Sequence, residues 1–430
     1  MINDLKVLVV SVSAWNSKVG MNTWPALLEN FNPDNVANIT IRNEQPDSRA
    51  CNNYFAISES RVIKSIIKRK IKTGNVVERS ETGEQSSSNN ELEEHNRRYS
   101  RMKKHRSFFT LMAREAMWKL GKWKSEELKE FVTDFNPDVV LYSMDGYIHF
   151  NRLCEYVKRI SKAKSIGFFV DDNFTYKQSR ALGHNAFRIF QRRSLKRIAK
   201  RTDGFWAITE KTKREADKTF SINSTVITKP LNEQRDFSKY GIGDPIRILY
   251  TGNLEIGREK SLAALCESIE KTANGKFHVD VYSKTSLSDS VTARISPDVC
   301  TMHPPVTQGR VLELQREADV LLFLEGMSGP DSKIARLSFS TKITDYLSSG
   351  RCILAIGCAD TAPMEYFSTN DSAIVATSDK EIKAAVEKIL TDPKIIMEYA
   401  ENAHRCGIEN HGKEKILGSV EKSIRDTIGK

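Results

Sequence analysis

The segment that begins at Arg247 joins a strand-like run to a glycine-containing turn and the start of a helix: Arg247-Ile248-Leu249-Tyr250-Thr251-Gly252-Asn253-Leu254-Glu255-Ile256-Gly257-Arg258-Glu259-Lys260-Ser261-Leu262. Its two glycines allow backbone amides to approach a ligand closely. Arg258 and Lys260 follow at the helix start, where amides, helix dipole and cations can converge on an anion. The segment therefore predicts a diphosphate site. The alternative is that the glycines only form a turn and the cations are only exposed.

A second segment has a related pattern: Phe339-Ser340-Thr341-Lys342-Ile343-Thr344-Asp345-Tyr346-Leu347-Ser348-Ser349-Gly350-Arg351-Cys352-Ile353-Leu354-Ala355. Ser340, Thr341 and Lys342 precede a short amphipathic stretch, and a hydroxyl there can cap a helix N-terminus. Gly350 is placed to end that helix before a buried strand. This segment predicts a second helix start that contributes to the same phosphate site.

Short apolar runs alternate with longer helical patterns along the whole chain, which is typical of βα units and parallel sheets. We predict strands over residues 6–12, 36–41, 139–142, 165–170, 204–208, 246–251, 278–282, 320–324, 352–356 and 373–376. A proline and polar residues break the pattern near residue 230. We therefore expect an N-terminal domain over 1–230, a nucleotide-sugar-binding domain over 231–405, and a C-terminal helix over 406–430 that crosses back to the first domain.

The composition is that of a globular protein with two domains, since the chain has 430 residues, of which 39% are hydrophobic and 28% charged. No apolar run approaches the roughly 20 residues of a spanning helix, and the start shows no cleavage-site pattern. We therefore expect a cytoplasmic protein. The seven cysteines and eight histidines show no metal-ligand spacing, so we predict free thiols and no metal site.

The formal charge of +11 favours an anionic partner. Residues 78–100 are rich in Ser, Asn, Glu and Arg, which predicts a mobile insertion. Residues 102–124 are basic and place apolar side chains at helical spacing: Phe109, Met112, Ala113, Ala116, Leu120 and Trp123. This pattern predicts a helix on an anionic membrane surface, at the inner face of the plasma membrane. The alternative is a core-facing apolar face with solvated lysines. No nucleic-acid-binding motif accompanies the charge, so nucleic acid is not an expected partner.

Together the two quoted segments resemble the C-terminal domain of retaining, nucleotide-sugar-dependent glycosyltransferases of the GT-B type. These are the group 1 or family 4 enzymes that build bacterial polysaccharides. The stretches 303–314 and 317–322 resemble that family's recurrent units as well. The resemblance covers residues 246–390 well and the N-terminal domain in outline. It implies an α/β GT-B fold, in which two Rossmann-like domains have parallel sheets facing a central cleft. It also implies a nucleoside-diphosphate sugar as donor substrate, with no other cofactor.

Several site residues follow from this resemblance. Gly252, Asn253, Arg258 and Lys260 would face the diphosphate, with Arg258 and Lys260 as catalytic cations. The Ser340-Thr341-Lys342 triplet would lie near the phosphates or the donor sugar.

The family usually has a Glu, then seven residues, then a second Glu that bonds the ribose hydroxyls. Here the second position is Asp345, while the first, normally near the transferred sugar, is Leu337. Glu325 and Asp331 are nearby carboxylates that could compensate, or that could be ordinary loop residues.

In the N-terminal domain, the loop 13–23 follows the first strand, where the resemblance places part of the acceptor or transferred-sugar site. Asp171 and Asp172 directly follow another strand, at the edge where ligands gather in parallel sheets. We take both as candidate catalytic residues that bind an acceptor hydroxyl or act as a base, against the alternative of helix capping. The loop 144–146 is a weaker candidate. Many family members carry a histidine near Asp171, and this chain has none.

The resulting hypothesis is a hexosyltransferase that moves a sugar from a nucleoside-diphosphate sugar to a hydroxyl of a glycan or lipid-linked glycan, with retention. Arg258 and Lys260 would stabilise the charge of the leaving diphosphate. Because of Leu337 and the missing histidine, a non-catalytic nucleotide-binding or scaffold protein at the membrane surface remains the alternative. A sugar-nucleotide epimerase, which needs no acceptor, is a third interpretation.

Overall fold

The computed structural model of the protein describes residues 1–16, 23–80, 108–175, 177, 182–233, 237–273 and 275–429. Most of the predicted insertion over 78–100, much of the loop 13–23 and the start of the basic segment 102–124 therefore lie outside the described residues. The described part of the chain forms two compact units. The first contains the described residues of Met1–Tyr176, Arg180–Thr228 and Ile416–Lys430, and the second contains those of Lys229–Lys415 together with Lys177.

The first unit is built on an eight-stranded sheet in the order β4-β3-β2-β1-β5-β6-β7-β8. Its strands are β1 (Val7–Ser11), β2 (Val36–Thr40), β3 (Asn53–Ile57), β4 (Gly74–Val77), β5 (Val139–Ser143), β6 (Lys164–Phe169), β7 (Gly204–Ala207) and β8 (Thr225–Val226). Its helices are α1 (Thr23–Leu27), α2 (Glu59–Lys64), α3 (Phe108–Leu120), α4 (Glu126–Phe135), α5 (Ile148–Ser161), α6 (Leu182–Ala199) and α7 (Glu210–Phe220), with a 3-10 turn at Pro33–Asn35.

The second unit contains a six-stranded parallel sheet in the order β11-β10-β9-β12-β13-β14. Its strands are β9 (Ile246–Thr251), β10 (Phe277–Tyr282), β11 (Cys300–His303), β12 (Val320–Leu324), β13 (Cys352–Ile356) and β14 (Ile374–Ala376). Its helices are α8 (Arg258–Ala273), α9 (Asp289–Thr292), α10 (Gln308–Glu317), α11 (Gly329–Ile334), α12 (Lys342–Ser348), α13 (Ala362–Thr369), α14 (Asp379–Thr391) and α15 (Lys394–His411).

The last helix, α16 (Lys413–Ile428), carries the chain back to the first unit from Ile416 onward. Two contacts attach it there. The indole Nε1 of Trp206 donates to the Ser423 hydroxyl at 2.8 Å, and Arg425 makes a bidentate pair with Asp4 at 2.8 and 3.0 Å.

The apolar strands are buried on both faces, as expected of parallel sheets covered by helices on each side. In the second unit, alternate residues of β12 face two separate hydrophobic clusters. Leu322 and Leu324 pack into one cluster, while Leu321 and Phe323 pack into the other. This alternation explains why the strand reads as a continuous apolar run.

All ten predicted strands are confirmed to within one residue at each end. Four strands were not predicted: β3, β4, β8 and β11. The expectation of wholly parallel pairing is wrong at β4, which runs antiparallel to β3. That strand is short, lies at the sheet edge, and exposes Asn75 and Val76, so it carries no buried apolar run in its sequence.

In both sheets the strand order reverses at one point, between β1 and β5 in the first unit and between β9 and β12 in the second. At such a reversal the connecting helices depart in opposite directions, which leaves a crevice beyond the carboxyl ends of the strands. Ligands of open α/β sheets bind in that crevice. The residues that follow these four strands are therefore the candidates for ligand binding.

None of the helices within the described residues is both long enough and apolar enough to span a bilayer. All seven cysteines are free thiols, and only Cys358 is not buried.

Candidate functional site

The carboxyl end of β9 brings Gly252 against the side chain of Lys342, from the start of α12. Gly252 has φ 136°, a conformation that side-chain-bearing residues rarely adopt, and a Cβ added to it would lie 2.7 Å from Lys342 Cε. The Lys342 ammonium lies over the Tyr250 ring, 4.6 Å from its centroid. The two quoted sequence segments therefore meet at this strand end.

Arg258, the first residue of α8, forms a bidentate pair with Glu325, the residue that follows β12. Its Nη2 lies 2.9 Å from Oε1 and 3.0 Å from Oε2 of Glu325, and its Nε donates to the Leu324 carbonyl at 3.1 Å. The Glu325 side chain is 4% exposed and that of Arg258 is 22% exposed. This ion pair bridges the β9 and β12 ends across the point of strand reversal, so Glu325 is a partner of Arg258 rather than an ordinary loop residue.

Lys342 is a cation in an unusual environment. Burial, with a further contribution from the nearby Arg258 guanidinium, lowers the pKa of Lys342 to about 8, while Glu325 and Asp345 act in the opposite direction. Because Glu325 already neutralises Arg258, Lys342 adds a positive charge that the ion pair does not cancel. An anion that enters this strand edge would stabilise the protonated form of Lys342.

Asp345 lies one turn along α12 from Lys342. Its Oδ1 accepts a hydrogen bond from Asn232 Nδ2 at 2.8 Å and lies 3.6 Å from the Lys229 ammonium. Burial raises the pKa of Asp345, although Lys229 and Lys342 favour its ionised form. Lys229 and Asn232, both in the segment that precedes β9, are site residues that the sequence interpretation missed.

The remaining predicted donor-site residues are placed as follows. Asn253 and Lys260 are exposed. Ser340 Oγ accepts the Lys342 backbone N–H at 3.3 Å. Thr341 is the residue before α12, but its side chain makes no capping hydrogen bond. Leu337 is fully buried, so the position that holds an acid in the resembling family is part of the core here.

Asp331 lies beside the turn that follows β9. A Cβ added to Gly257, which has φ 79°, would lie 3.3 Å from Asp331 Cβ and 3.1 Å from Gly326 Cα. The close approach of these chain segments explains the requirement for glycine at residue 257. It also brings a second carboxylate to the same strand edge as Glu325.

A cavity of roughly 440 Å³ lies along β11 and reaches the segments that follow β10 and β11. Ser283 and Thr285 line it from one strand end, and His303 and Pro304 from the other. The Thr285 hydroxyl accepts the Leu254 backbone N–H at 3.1 Å, which links the cavity to the β9 turn. His303 stacks on Tyr282 at 4.5 Å and bonds Asp280 at 2.7 Å.

In the first unit, the corresponding crevice lies beyond β1 and β5. Asp145 follows β5, and its Oδ1 accepts the Tyr147 backbone N–H at 3.2 Å. Burial and the neighbouring Asp171 carboxylate raise the pKa of Asp145 to about 6. The predicted Asp171 therefore lies close enough to Asp145 to raise its pKa. Asp145 belongs to the loop 144–146, which the sequence indicated as a weaker candidate.

The two predicted aspartates after β6 differ in environment. Asp171 is exposed, whereas Asp172 is 1% exposed. The Asp172 carboxylate accepts from the Thr175 backbone N–H at 2.9 Å and from the Thr175 hydroxyl at 2.5 and 2.7 Å. It also lies 3.7 Å from Arg188. Asp172 is therefore engaged within the loop that follows β6, where residues 170–175 form no helix, and Asp171 is the accessible member of the pair.

A buried polar network from α3 holds the loop that carries Asp145. Glu115 accepts the Ile148 backbone N–H at 3.1 Å and contacts His149 Nδ1 at 2.8 Å. Burial lowers the pKa of His149 despite this partner. Arg114 lies over the Tyr147 ring at 5.1 Å from its centroid. These contacts fix the backbone on the C-terminal side of Asp145.

No protein-family model and no curated protein matches the sequence, but solved structures match the fold. Anabaena HepE in complex with UDP and glucose aligns with a TM-score of 0.63 at 8% identity, covering 98% of this chain and 100% of that chain. A glycosyltransferase from Rickettsia africae aligns with a TM-score of 0.60 at 11% identity, covering 99% of each chain. TarM aligns with a TM-score of 0.50 at 12% identity, covering 66% of this chain and 54% of TarM, so this chain spans about half of TarM's length.

At these identities the likeness establishes the fold. The protein has the α/β GT-B architecture of two Rossmann-like units, and this prediction is confirmed. Within the second unit, the sheet edge at the point of strand reversal, called here the switch-point edge, holds the partly buried Lys342, the ion-paired Arg258 and Gly252, with a cavity nearby. Such an arrangement can hold a polyanion attached to a planar or ring-shaped group.

The close packing at Gly252 yields a first prediction. In the Gly252→Ala variant the new methyl group would displace the Lys342 side chain and strain the backbone. We therefore expect the affinity of this edge for a polyanion to fall about tenfold or more, since a charge-assisted contact contributes about 1.5–3 kcal/mol. Calorimetric titration with UDP would measure this. Gly275→Ala is the matched control, because Gly275 has φ 78° but no atom within 4 Å of an added Cβ. Equal affinity losses in both variants would contradict the prediction.

The pKa of Lys342 yields a second prediction. An ammonium that binds an anion must be protonated, and Lys342 loses its proton as the pH rises through about 8. Affinity for a polyanion such as UDP should therefore be retained below pH 8 and should fall by up to about tenfold per pH unit above it, as one-proton linkage requires. Titrations between pH 6.5 and 9.5 would show this slope. A Lys342→Met variant should bind weakly with no such slope, and a wild-type slope that persists in the variant would contradict the assignment.

Proposed function

We propose that the protein is a glycosyltransferase that uses a nucleoside-diphosphate sugar as donor and a hydroxyl of a glycan or lipid-linked glycan as acceptor. The observation that supports this most directly is the convergence of Gly252, Lys342 and the Arg258–Glu325 pair at the switch-point edge of the second unit. The fold likeness to HepE, which was solved with UDP and glucose, agrees with the proposal.

In the proposed reaction the bond between the sugar anomeric carbon and the diphosphate oxygen breaks. Its electron pair remains on the diphosphate, while the acceptor oxygen bonds to the anomeric carbon and its proton passes to the departing diphosphate oxygen. Negative charge therefore grows on the leaving diphosphate. Lys342, preorganised over Tyr250, stabilises that charge, as does the Arg258 guanidinium, which Glu325 holds in place. These cations give the leaving group its counter-charge without a metal ion in the proposed mechanism.

The rest of the donor is assigned from the adjoining geometry. The cavity along β11 lies in the size range of small-molecule sites and offers hydroxyls from Ser283 and Thr285. We assign the nucleoside to it. Asp345, held by Asn232 and Lys229, is assigned to the ribose hydroxyls, as the family resemblance implies. Lys260 and Asn253 are exposed beside this site and would contact the diphosphate as it enters.

In the first unit, Asp145 and Asp171 are proposed to accept hydrogen bonds from the acceptor hydroxyls. Burial and the neighbouring Asp171 carboxylate raise the pKa of Asp145 to about 6, so at neutral pH Asp145 is an ionised hydrogen-bond acceptor. We propose that transfer proceeds with retention, which rests on the family resemblance alone.

Turnover assays test the function. Purified protein is incubated with UDP-, GDP- and ADP-linked sugars, with and without short glycan acceptors, and release of nucleoside diphosphate is measured. Proton NMR of the product then reports the anomeric configuration. Acceptor-dependent release is the expected result. Nucleotide binding without release under any condition would favour the non-catalytic alternative, and acceptor-independent interconversion of donor sugars would favour an epimerase.

The membrane-surface prediction stays a proposal, with one revision. In α3, Phe109 is 79% and Leu120 is 62% exposed, and Ala113 and Ala116 on the same face are exposed as well. Trp123, by contrast, is 6% exposed and does not belong to that apolar face. The exposed apolar face, with Lys119 and Lys122 nearby in sequence, has the amphipathic composition of helices that lie on anionic membranes.

Flotation with phosphatidylglycerol vesicles tests this surface. We expect wild-type protein to float and a Phe109→Glu/Leu120→Glu variant to remain at the bottom of the gradient. The variant loses two apolar side chains that would be buried in the bilayer and gains two negative charges that the anionic surface repels. Val76→Glu is the control, since Val76 is also exposed, at 63%, but belongs to strand β4. Equal flotation of all three proteins would contradict the assignment of α3 to the membrane.

A further inference from the structure

A second cavity, of roughly 770 Å³, lies within the first unit and away from the residues assigned above. Twelve residues line it, including Trp123, Tyr156, Arg152 and Glu155. Half of these residues are cationic and only one is acidic. A lining of this composition attracts anions.

Pairing within the protein accounts for only part of this charge. Glu155 is engaged by Arg197 at 2.9 Å and by Arg201 at 3.4 Å, and Lys158 is paired with Asp203 at 2.6 Å. The other four cations of the lining have no acidic partner among the described residues: Lys124, Arg152, Arg159 and Lys162. The cavity therefore holds a local excess of positive charge.

Arg152 is the most specific of these four. Its Nη1 is buried and has no hydrogen-bond partner among the described residues. A buried guanidinium N–H without a partner is costly, because it has lost its hydration without gaining a protein contact. Its position in the lining of a cationic cavity is the arrangement expected of a group that receives an oxyanion.

Aromatic rings form another part of the wall. Trp123 and Tyr156 meet edge to face at 5.5 Å, and the Lys124 ammonium lies 5.1 Å and 5.6 Å from their centroids. Tyr142 contributes a ring whose hydroxyl contacts Thr202 Oγ1 at 2.8 Å. Such walls suit the organic part of a ligand rather than a bare ion.

The location separates this cavity from the proposed acceptor residues. Lys162 and Ala163 immediately precede β6, and Arg201 lies shortly before β7, so the cavity opens where these strands begin. Asp145 and Asp171 follow β5 and β6, at the opposite edge of the same sheet. The cavity is therefore not part of the carboxyl-edge crevice.

We propose that this cavity is a binding site for an organic phosphate, in which Arg152 anchors the phosphate and Trp123 and Tyr156 contact the organic group. Three further cations lie at the rim and would neutralise the negative charge of a phosphomonoester or diester: Lys124, Arg159 and Lys162. The phosphate is carried either by a soluble phosphoester or by a phospholipid headgroup, and both present the same chemistry to the site.

Calorimetric titration of the full chain with phenyl phosphate tests this in the absence of nucleotide, because UDP is itself an organic phosphate that the cavity would bind. Saturable binding is expected, and Arg152→Gln should weaken it about tenfold, the loss that a charge-assisted hydrogen bond implies. Lys162→Asn is a second variant, because Lys162 is exposed with φ 59°, a conformation that Asn tolerates. It should weaken binding in the same direction. Arg405→Gln removes an exposed guanidinium from the other unit and should change nothing.

Flotation with phosphatidylglycerol and phosphatidylcholine vesicles separates the two sources. If Arg152→Gln weakens phenyl phosphate binding and also phosphatidylglycerol binding, the ligand is a headgroup; if vesicle binding is unchanged, it is a soluble phosphoester. Thermal melts confirm that each variant is folded. The proposal is overturned if the wild-type protein shows no saturable binding of phenyl phosphate, or if both cavity variants bind it as the Arg405→Gln control does.

Discussion

The Lys342→Met variant should lose about two to three orders of magnitude in kcat/KM for the donor, the loss typical of removing one preorganised charge-stabilising group. Lys342 provides the positive charge that Glu325 does not already neutralise, and it lies beside Gly252 at the strand edge where the diphosphate is assigned. Methionine keeps the length and apolar contact of the side chain over Tyr250, so the fold should be retained. Steady-state kinetics with the identified donor measures the effect.

Two variants control this experiment. Lys271→Met removes an exposed lysine at the far end of α8 and should leave kcat/KM unchanged. Lys342→Arg keeps the charge but not the compact ammonium geometry beside Gly252, so it should recover only part of the activity. If Lys342→Met retains wild-type kcat/KM, Lys342 does not contact the leaving group and the donor site is misassigned.

The Arg258→Met variant should lose about 3 kcal/mol of unfolding free energy as well as donor binding. The Glu325 side chain is 4% exposed, and removing its partner leaves a buried carboxylate uncompensated, a change that costs about 3–5 kcal/mol in buried pairs. Because Arg258 is itself partly exposed, we expect the lower end of that range. Urea denaturation followed by circular dichroism measures the loss.

The double variant Arg258→Met/Glu325→Leu separates the two roles of Arg258. Replacing both partners of a buried pair by apolar side chains of similar size is often nearly neutral for stability. We therefore expect the double variant to regain most of the unfolding free energy while donor affinity stays lost. Recovery of donor affinity together with stability would show that Arg258 acts only through the fold.

Most strands of the fold could be predicted from the sequence because the central strands are continuous apolar runs. β1 and β12 are each buried on both faces, so their sequences carry a strong and local signal. The missed strands lack that signal. β11 contains Thr301 and His303, which are only partly buried, and it lies at the edge of the sheet beside β10. β4 forms by pairing with the edge of β3. Because such pairing depends on tertiary structure, the local sequence does not predict it.

The sequence predicted separate parts of the candidate site but not the contacts between them. Gly252 and Lys342 lie 90 residues apart, and their contact follows from the strand order rather than from either motif. The role of Glu325 could not be inferred locally, because its partner comes from the helix after another strand. Lys229 resembled a linker residue, and its pairing with Asp345 depends on how the chain enters the second unit.

Melting temperatures of the full chain with UDP, GDP, ADP and CMP test the central claim most directly, because a ligand that binds only the folded protein must stabilise it. We predict that one nucleoside diphosphate raises the melting temperature, and that this increase disappears in Arg258→Met/Glu325→Leu and in Lys342→Met but persists in Lys271→Met. If no nucleotide raises the melting temperature of the wild-type protein, or if the increase survives in both site variants, the assignment of a nucleoside-diphosphate-sugar site to the second unit is contradicted.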